Sequence, residues 1–321
     1  MCKFFFLIFN LTISANGFSQ VNDTVTRKPD SLTYNTDSTG YLQNNTSEGV
    51  YTAQTKITFR TYFVLLGSDL KQGFTKPFNM CRKDWRKFGV FALATGALSF
   101  ADQPVQKQII KLRNNNPDAF KVSKYVTNFG GVYELYTLAA LGTYGLIFKN
   151  EKLKTTTLLA TQAYVTGAAF ESVFKFLSGR RRPSFYNPYL EAKPTFTGPF
   201  GNTSPDYNGN KTGSSFPSGH ATVAFAAATV YAMEYKSTIW VPILSYTAAS
   251  LISLSRITEN KHWATDVFAG AVLGYFTGRL AVNNYHRYAK LKAQGMPKNS
   301  ITFNLQYNYK QLKPGLIYHI R

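Results

Sequence analysis

Apolar residues collect along the chain in six stretches, at about 85–101, 130–148, 155–178, 220–235, 238–256 and 265–283. Their length, and the Ala and Leu in most of them, predict helices and not strands. Several fall short of the ~20 apolar residues that a bilayer-crossing helix needs, and they carry Thr, Tyr, Glu134 and Glu171. Two arrangements fit this pattern: a six-helix bundle that spans a membrane through short, tilted helices, and a helical bundle that rests on one. The basic residues that bracket the stretches favour the spanning arrangement.

The flanks read differently. Met1 to about Ser19 has Lys3, the apolar run Phe4 to Phe9 and then small residues through Ala15, Gly17 and Ser19, the pattern of a signal peptide or, uncleaved, a signal anchor over 1–19. Residues 20–82 are a polar tether and lead-in: Thr, Asn, Ser and Asp dominate to about 56, and Ile57 to Val64 alternates weakly, as a strand or the start of a packed segment. The helical domain covers 83–290. In the tail, 291–321, Ser300 to Tyr309 alternates cleanly, Lys313-Pro314-Gly315 signals a turn and Leu316 to Ile320 alternates again, which predicts a small β-hairpin.

Composition narrows the partners. Lys and Arg outnumber Asp and Glu by 36 to 16 in 321 residues, a formal charge of +20, while 44% hydrophobic residues argue against disorder. The cations sit at the ends of apolar stretches and form no continuous tract, so they suit a membrane surface and phosphate groups, not nucleic acid. Two cysteines, Cys2 and Cys81, make neither a disulfide framework nor a metal site.

The chemistry concentrates in three blocks. His262 and Asp266 are four apart, a spacing that puts both on one helix face, where a carboxylate can hold one ring nitrogen protonated and aim the other outward as a nucleophile. Arg256, six residues earlier, offers a planar charged fork for the phosphoryl group under attack. Upstream stand Lys175-x6-Arg182-Pro183 and Pro217-Ser218-Gly219-His220. An antiparallel succession of helices brings Lys175, His220, Arg256 and His262 to one end of the bundle.

Taken together, the three blocks resemble the signature of the type 2 phosphatidic acid phosphatase (PAP2) superfamily, which also holds class A acid phosphatases and vanadium haloperoxidases. All eleven signature positions are filled, from Lys175 to Asp266, and the flanking apolar segments extend the likeness to roughly Trp85 through Tyr285. The resemblance implies an all-α, six-helix, membrane-embedded phosphatase that uses no metal or other cofactor. In it His262, aligned by Asp266, attacks phosphorus to form a phosphohistidine, and His220 protonates the leaving oxygen and then activates water. Lys175, Arg182 and Arg256 neutralise the phosphate, and the amides around Ser218 and Gly219 at a helix N-terminus add donors, with Gly219 leaving room for the anion.

Substrate stays open among phosphatidate, phosphatidylglycerol phosphate, undecaprenyl diphosphate and lipid A phosphates, with a broad periplasmic acid phosphatase or a haloperoxidase as alternatives. No protein partner is implied. The segment Ser184 to Phe216 is either a lid or headgroup selector or an unstructured insertion. Arg180 and Arg181 read as a solvated charge run, Trp263 and Tyr285 as core or interfacial anchors, and His286 and His319 as structural or exposed. Basic clusters on the opposite side predict a cell-envelope protein with the active site toward the periplasm. A cleaved signal followed by six full spans would turn the site inward, so that orientation requires an anchor or a bundle that does not cross six times.

Overall fold

The computed structural model describes residues 44–52, 55–186, 192–201, 205–210, 212–293, 300–308 and 311–319. The expected signal segment, 1–19, lies outside them. Among the described residues are nine α-helices: α1 (Phe59–Thr75), α2 (Arg82–Ser99), α3 (Asp102–Asn115), α4 (Pro117–Asn128), α5 (Val132–Ile147), α6 (Glu151–Ser178), α7 (Gly219–Glu234), α8 (Trp240–Thr258) and α9 (Ala264–Ala293).

The six expected helices correspond to α2 and α5 through α9. The other three are additions. Ile57 to Val64, weakly alternating, enters a helix at Phe59, where Thr58 caps α1 by accepting the Thr61 amide. α3 and α4 are polar helices that no apolar stretch announces. No helix among the described residues is long and apolar enough to cross a membrane. In the tail, β1 (Ser300–Asn308) and β2 (Gln311–His319) are antiparallel with Ser300 opposite His319 and Asn308 opposite Gln311. Lys313-Pro314-Gly315, read from the sequence as the turn, therefore lies within β2.

α7 is the centre of the bundle. Its residues are small and buried nearly all round, from Ala221 through Ala228 and Val230, and it packs against α6, α8 and α9. The main core joins Leu65 of α1, Leu159, Ala160 and Ala163 of α6, Ala226 and Val230 of α7, and Val282 and Tyr285 of α9.

What sets α7 against α9 so closely is a glycine ridge. Gly270, Gly274 and Gly278 recur every four residues along one line of α9. A Cβ on Gly274 would lie 2.2 Å from the Thr222 carbonyl oxygen, and one on Gly270 would lie 2.5 Å from that of Ser218. Only hydrogen fits there, and the close approach lines up the N-terminal ends of the two helices. Gly274→Ala is expected to destabilise the protein by about 1–3 kcal/mol through forced separation of the helices. Gly67→Ala is the control, since a Cβ there meets nothing within 4 Å. Unfolding midpoints of the two variants check this: equal midpoints would show that α7 and α9 are not in backbone contact.

Candidate active site

Four chain ends converge at one end of the bundle. α6 closes with Lys175 in its last turn, and Gly179 then takes the left-handed conformation, φ 53°, where a Cβ would stand 2.2 Å from the Gly198 oxygen. That reversal carries Arg180, Arg181 and Arg182 across the bundle mouth. α7 starts at Gly219 with Ser218 as its N-cap, Arg256 is in the last turn of α8, and Asp266 is in the first turn of α9.

His262 precedes α9 and does not share a helix face with Asp266. It lies in the short connection from α8, where its own amide and that of Lys261 both donate to the Arg256 carbonyl, at 3.3 and 3.1 Å. The imidazole is buried. Nδ1 donates to the Ser215 carbonyl at 2.8 Å, whereas the nearest Asp266 oxygen stands 3.7 Å away. The expected His–Asp dyad is thus a triad of sorts: Ser215 orients the ring directly, and Asp266 fixes Ser215 by accepting its hydroxyl proton. With Nδ1 protonated, Nε2 keeps its lone pair and faces Arg182, whose Nη1 is 3.5 Å away.

Asp266 is fully enclosed, and its partners explain how a carboxylate survives there as an anion. Arg180 Nη1 donates to Oδ1 at 2.5 Å, the Trp263 amide donates to Oδ2 at 2.8 Å, and Ser215 adds its hydroxyl. Burial pushes its pKa up, but His262, Arg180 and Ser215 outweigh burial and hold it below the usual carboxylate range.

Arg180 is the main correction to the sequence reading. It is 1% exposed, not solvated. Its second arm donates to Asp102 Oδ2 at 2.5 Å, its first also reaches the Thr265 hydroxyl at 2.6 Å, and its guanidinium lies over the rings of Phe196 and Trp263. Asp102, at the start of α3, in turn accepts the amide and hydroxyl of Thr265 at 3.0 and 2.7 Å. Asp102–Arg180–Asp266 is therefore a buried ionic ladder beside His262. Of the run's other members, Arg181 lies over Phe185, and its carbonyl accepts the Trp263 indole proton at 2.9 Å. Trp263 and Tyr285 are core residues, and His286 is buried against Glu234, with Nε2 2.7 Å from its Oε1.

The remaining signature residues surround His262. Burial, and then the charges of Arg256, His262, Lys175 and Arg182, drive the His220 pKa down to about 3, so these groups share one electrostatic site. Arg182 is steadied by Nε donating to the Gly213 carbonyl at 3.0 Å, and Arg256 by Glu259 at 3.1 Å. Lys175 is paired with Glu171.

Two expectations at the start of α7 change. The Ser218 amide is committed to the Asp266 carbonyl at 2.9 Å, so the helix-end donors left over are those of Gly219 and the residues after it, while the Ser218 hydroxyl is buried without a partner. Gly219 makes room for Glu171 as well as for an anion, because a Cβ there would meet Glu171 Oε1 at 2.7 Å.

Sequence reasoning missed Ser215, Asp102 and Thr265. Thr265 lies next to Asp266 and Ser215 two residues before Pro217, but neither carries a chemical signal of its own, and Asp102 is brought in by the fold alone. The described parts of the 184–216 segment are not loose: Tyr207 donates to Phe185, Arg181 to Thr195 and Ser215 to Arg180, all backbone to backbone.

Comparison with known proteins gives the same emphasis. The family model "PAP2 superfamily" matches residues 156–290. The chain is 31% identical over 180 residues to the undecaprenyl-diphosphatase of Sulfolobus acidocaldarius, covering 54% of this chain and 76% of that one. It is 44% identical over 82 residues to the lipid A 1-phosphatase of Porphyromonas gingivalis, covering 25% of this chain and only 18% of that relative's length. Among solved structures it is similar to a transmembrane PAP2 type phosphatidylglycerolphosphate phosphatase from Bacillus subtilis, with a TM-score of 0.46 and 23% identity over 61% of this chain and 92% of that one.

Proposed function

The chain belongs to the PAP2 superfamily, and from that premise we propose that it is a phosphatase that hydrolyses a lipid phosphate monoester or diphosphate through a phosphohistidine at His262. The observation that carries this reading is the state of the His262 ring. Nδ1 is held by the Ser215 carbonyl, and Nε2 is unprotonated beside Arg182.

In the first step the Nε2 lone pair attacks phosphorus as the bond to the leaving oxygen breaks, and His220 gives that oxygen a proton. In the second, His220 removes a proton from water, the water oxygen attacks phosphorus, and the P–N bond breaks to release inorganic phosphate. Lys175, Arg182, Arg256 and the first amides of α7 bear the charge on the three equatorial oxygens. No step calls for a metal ion.

The low proton affinity of His220 has a role here. Burial first, and then the nearby cations, suppress its protonated form; a bound phosphate neutralises the cations and so raises the proton affinity of His220. The His262 pKa is lowered as well. Burial, with Arg182 and Arg256 assisting and Asp266 opposing, lowers its pKa to about 4. Its nucleophilic form therefore persists well below pH 6.5.

A lipid substrate is supported by the activities of the similar proteins and by the outer surface. Phe59, Phe63, Trp85, Leu93, Trp240 and Leu244 are exposed on helices and Phe100 just past the end of α2, an apolar surface suited to a membrane. We assign the protein to a membrane surface of the cell envelope, where its excess of basic residues meets anionic headgroups.

The test is phosphate release by the purified protein in the presence of chelator, from undecaprenyl diphosphate, phosphatidate, phosphatidylglycerol phosphate, lipid A and an aryl phosphate. Turnover of at least one lipid is expected. The acid limb of kcat/KM, corrected for substrate ionisation, should fall below pH 5. A limb centred near 6.5, or dependence on added metal, would contradict the proposed state of His262.

A further inference from the structure

The anion site holds a carboxylate of its own. Glu171 stands one turn before Lys175 on α6 and pairs with it. A Glu placed N-terminal to a Lys at this spacing is an ordinary helix-surface pair when both side chains are in water. Here the Glu171 side chain is only 11% exposed and is turned toward the start of α7: a Cβ on Gly219 would lie 2.7 Å from its Oε1 and 3.6 Å from Lys175 Nζ. Oε1 therefore lies against the first residue of α7, where the helix-end amides receive a phosphate, and beside the lysine that shares it. The charge of Glu171 also reaches Arg182, whose pKa is lowered by burial and by Arg256 and supported by Asp266 and Glu171.

Holding Lys175 in place does not by itself call for a charge. A glutamine side chain accepts the same ammonium proton, whereas a carboxylate repels the anion that the site has to bind. What the carboxylate adds is competition. Hydrolysis ends with inorganic phosphate among Lys175, Arg182, Arg256 and the α7 amides, and that product has no other part by which to be held. An internal anion that returns to Lys175 and the helix end loosens the hold on it. The substrate keeps the binding of its remaining portion, so the opposition falls hardest on the product.

We propose that Glu171 is an internal competitor for the phosphate position. It occupies Lys175 and the mouth of α7 between turnovers, yields them to the substrate's phosphoryl group, and by reclaiming them promotes release of inorganic phosphate. The inference rests on the phosphatase reading, which identifies the anion.

Glu171→Gln tests it, with inorganic phosphate as the probe. Titration calorimetry should give a Kd for phosphate about tenfold tighter in the variant than in wild type. KM for an aryl phosphate should fall while kcat does not rise, the split expected when an interaction that opposes bound anion is removed. A Kd that is unchanged or weaker, or no detectable binding by either protein, would overturn the inference and leave the phosphatase reading standing: loss of a residue that merely orients Lys175 can only loosen the anion. A thermal melt reports folding. If Glu171→Gln does not fold, Glu171→Asp, which keeps the charge but draws it back from Gly219, decides by the same sign. Phosphate binding without turnover of any ester by wild type would overturn the phosphatase reading and the inference with it.

Discussion

Replacing His262 by alanine is expected to lower phosphate release by roughly 10⁴-fold or more, the scale seen when a covalent nucleophile is removed from an otherwise intact site. The loss should fall on kcat, with KM changed little. Lys175, Arg182 and Arg256 stay in place to bind phosphate, and only the atom that attacks is gone. The His262 ring makes few structural demands: one bond to the Ser215 carbonyl at 2.8 Å and a remote approach to Asp266 at 3.7 Å. Folding should therefore survive, and single-turnover assays beside a thermal melt will separate the two. Arg181→Ala is the contrast, since its guanidinium lies over Phe185, and most activity should remain. Equal losses in the two variants would refute the division of roles.

The second large effect is on stability. Arg180→Ala removes the cation that bridges Asp102 and Asp266 and leaves two enclosed carboxylates without it, a situation that costs about 3–5 kcal/mol when one partner of a buried ion pair is deleted. Protonation of Asp266 offers partial relief, and it has a catalytic consequence. Without its charge, the Ser215 hydroxyl and the Trp263 amide lose their anionic acceptor, and the carbonyl that holds His262 Nδ1 is no longer fixed. Stability and kcat should fall together. Adding Asp102→Asn to Arg180→Ala should recover part of the stability, because one of the stranded charges is gone, and little of the activity, because Asp266 is still unsupported. Denaturant midpoints and kcat for the single and double variants provide the test. A stability change under about 1 kcal/mol would mean that the ladder is solvated in solution.

Why did the sequence single out His262 but not the ladder beside it? His262, His220, Arg256 and Lys175 terminate or initiate apolar helices, so the same pattern that predicts the helices predicts where those residues gather. α7 was legible for the same reason: a helix of Ala, Val and Thr can only be interior. α3 and α4 were not. Each buries a narrow polar face, Asp102 and Gln106 on one and Ser123 and Thr127 on the other, while apolar residues such as Leu112, Val122 and Tyr125 stay exposed. Arg180 was hidden by its neighbours, since three consecutive arginines read as a solvated run, and the turn at Gly179 that drives the first of them inward depends on contact with Gly198. Ser215 orients His262 through a backbone carbonyl, and its hydroxyl meets Asp266 only in the folded chain. The spacing of His262 and Asp266 predicted a shared helix face; the helix instead starts at Ala264, and the two meet through Ser215.

The central claim is that phosphorus is transferred to His262 before it reaches water. The most direct measurement is rapid alkaline quench of the enzyme during turnover of a phosphorus-labelled substrate, followed by mapping of the label in peptides. The account predicts base-stable, acid-labile label on His262, absent from His262→Ala. Label on His220 or on any other side chain would contradict it.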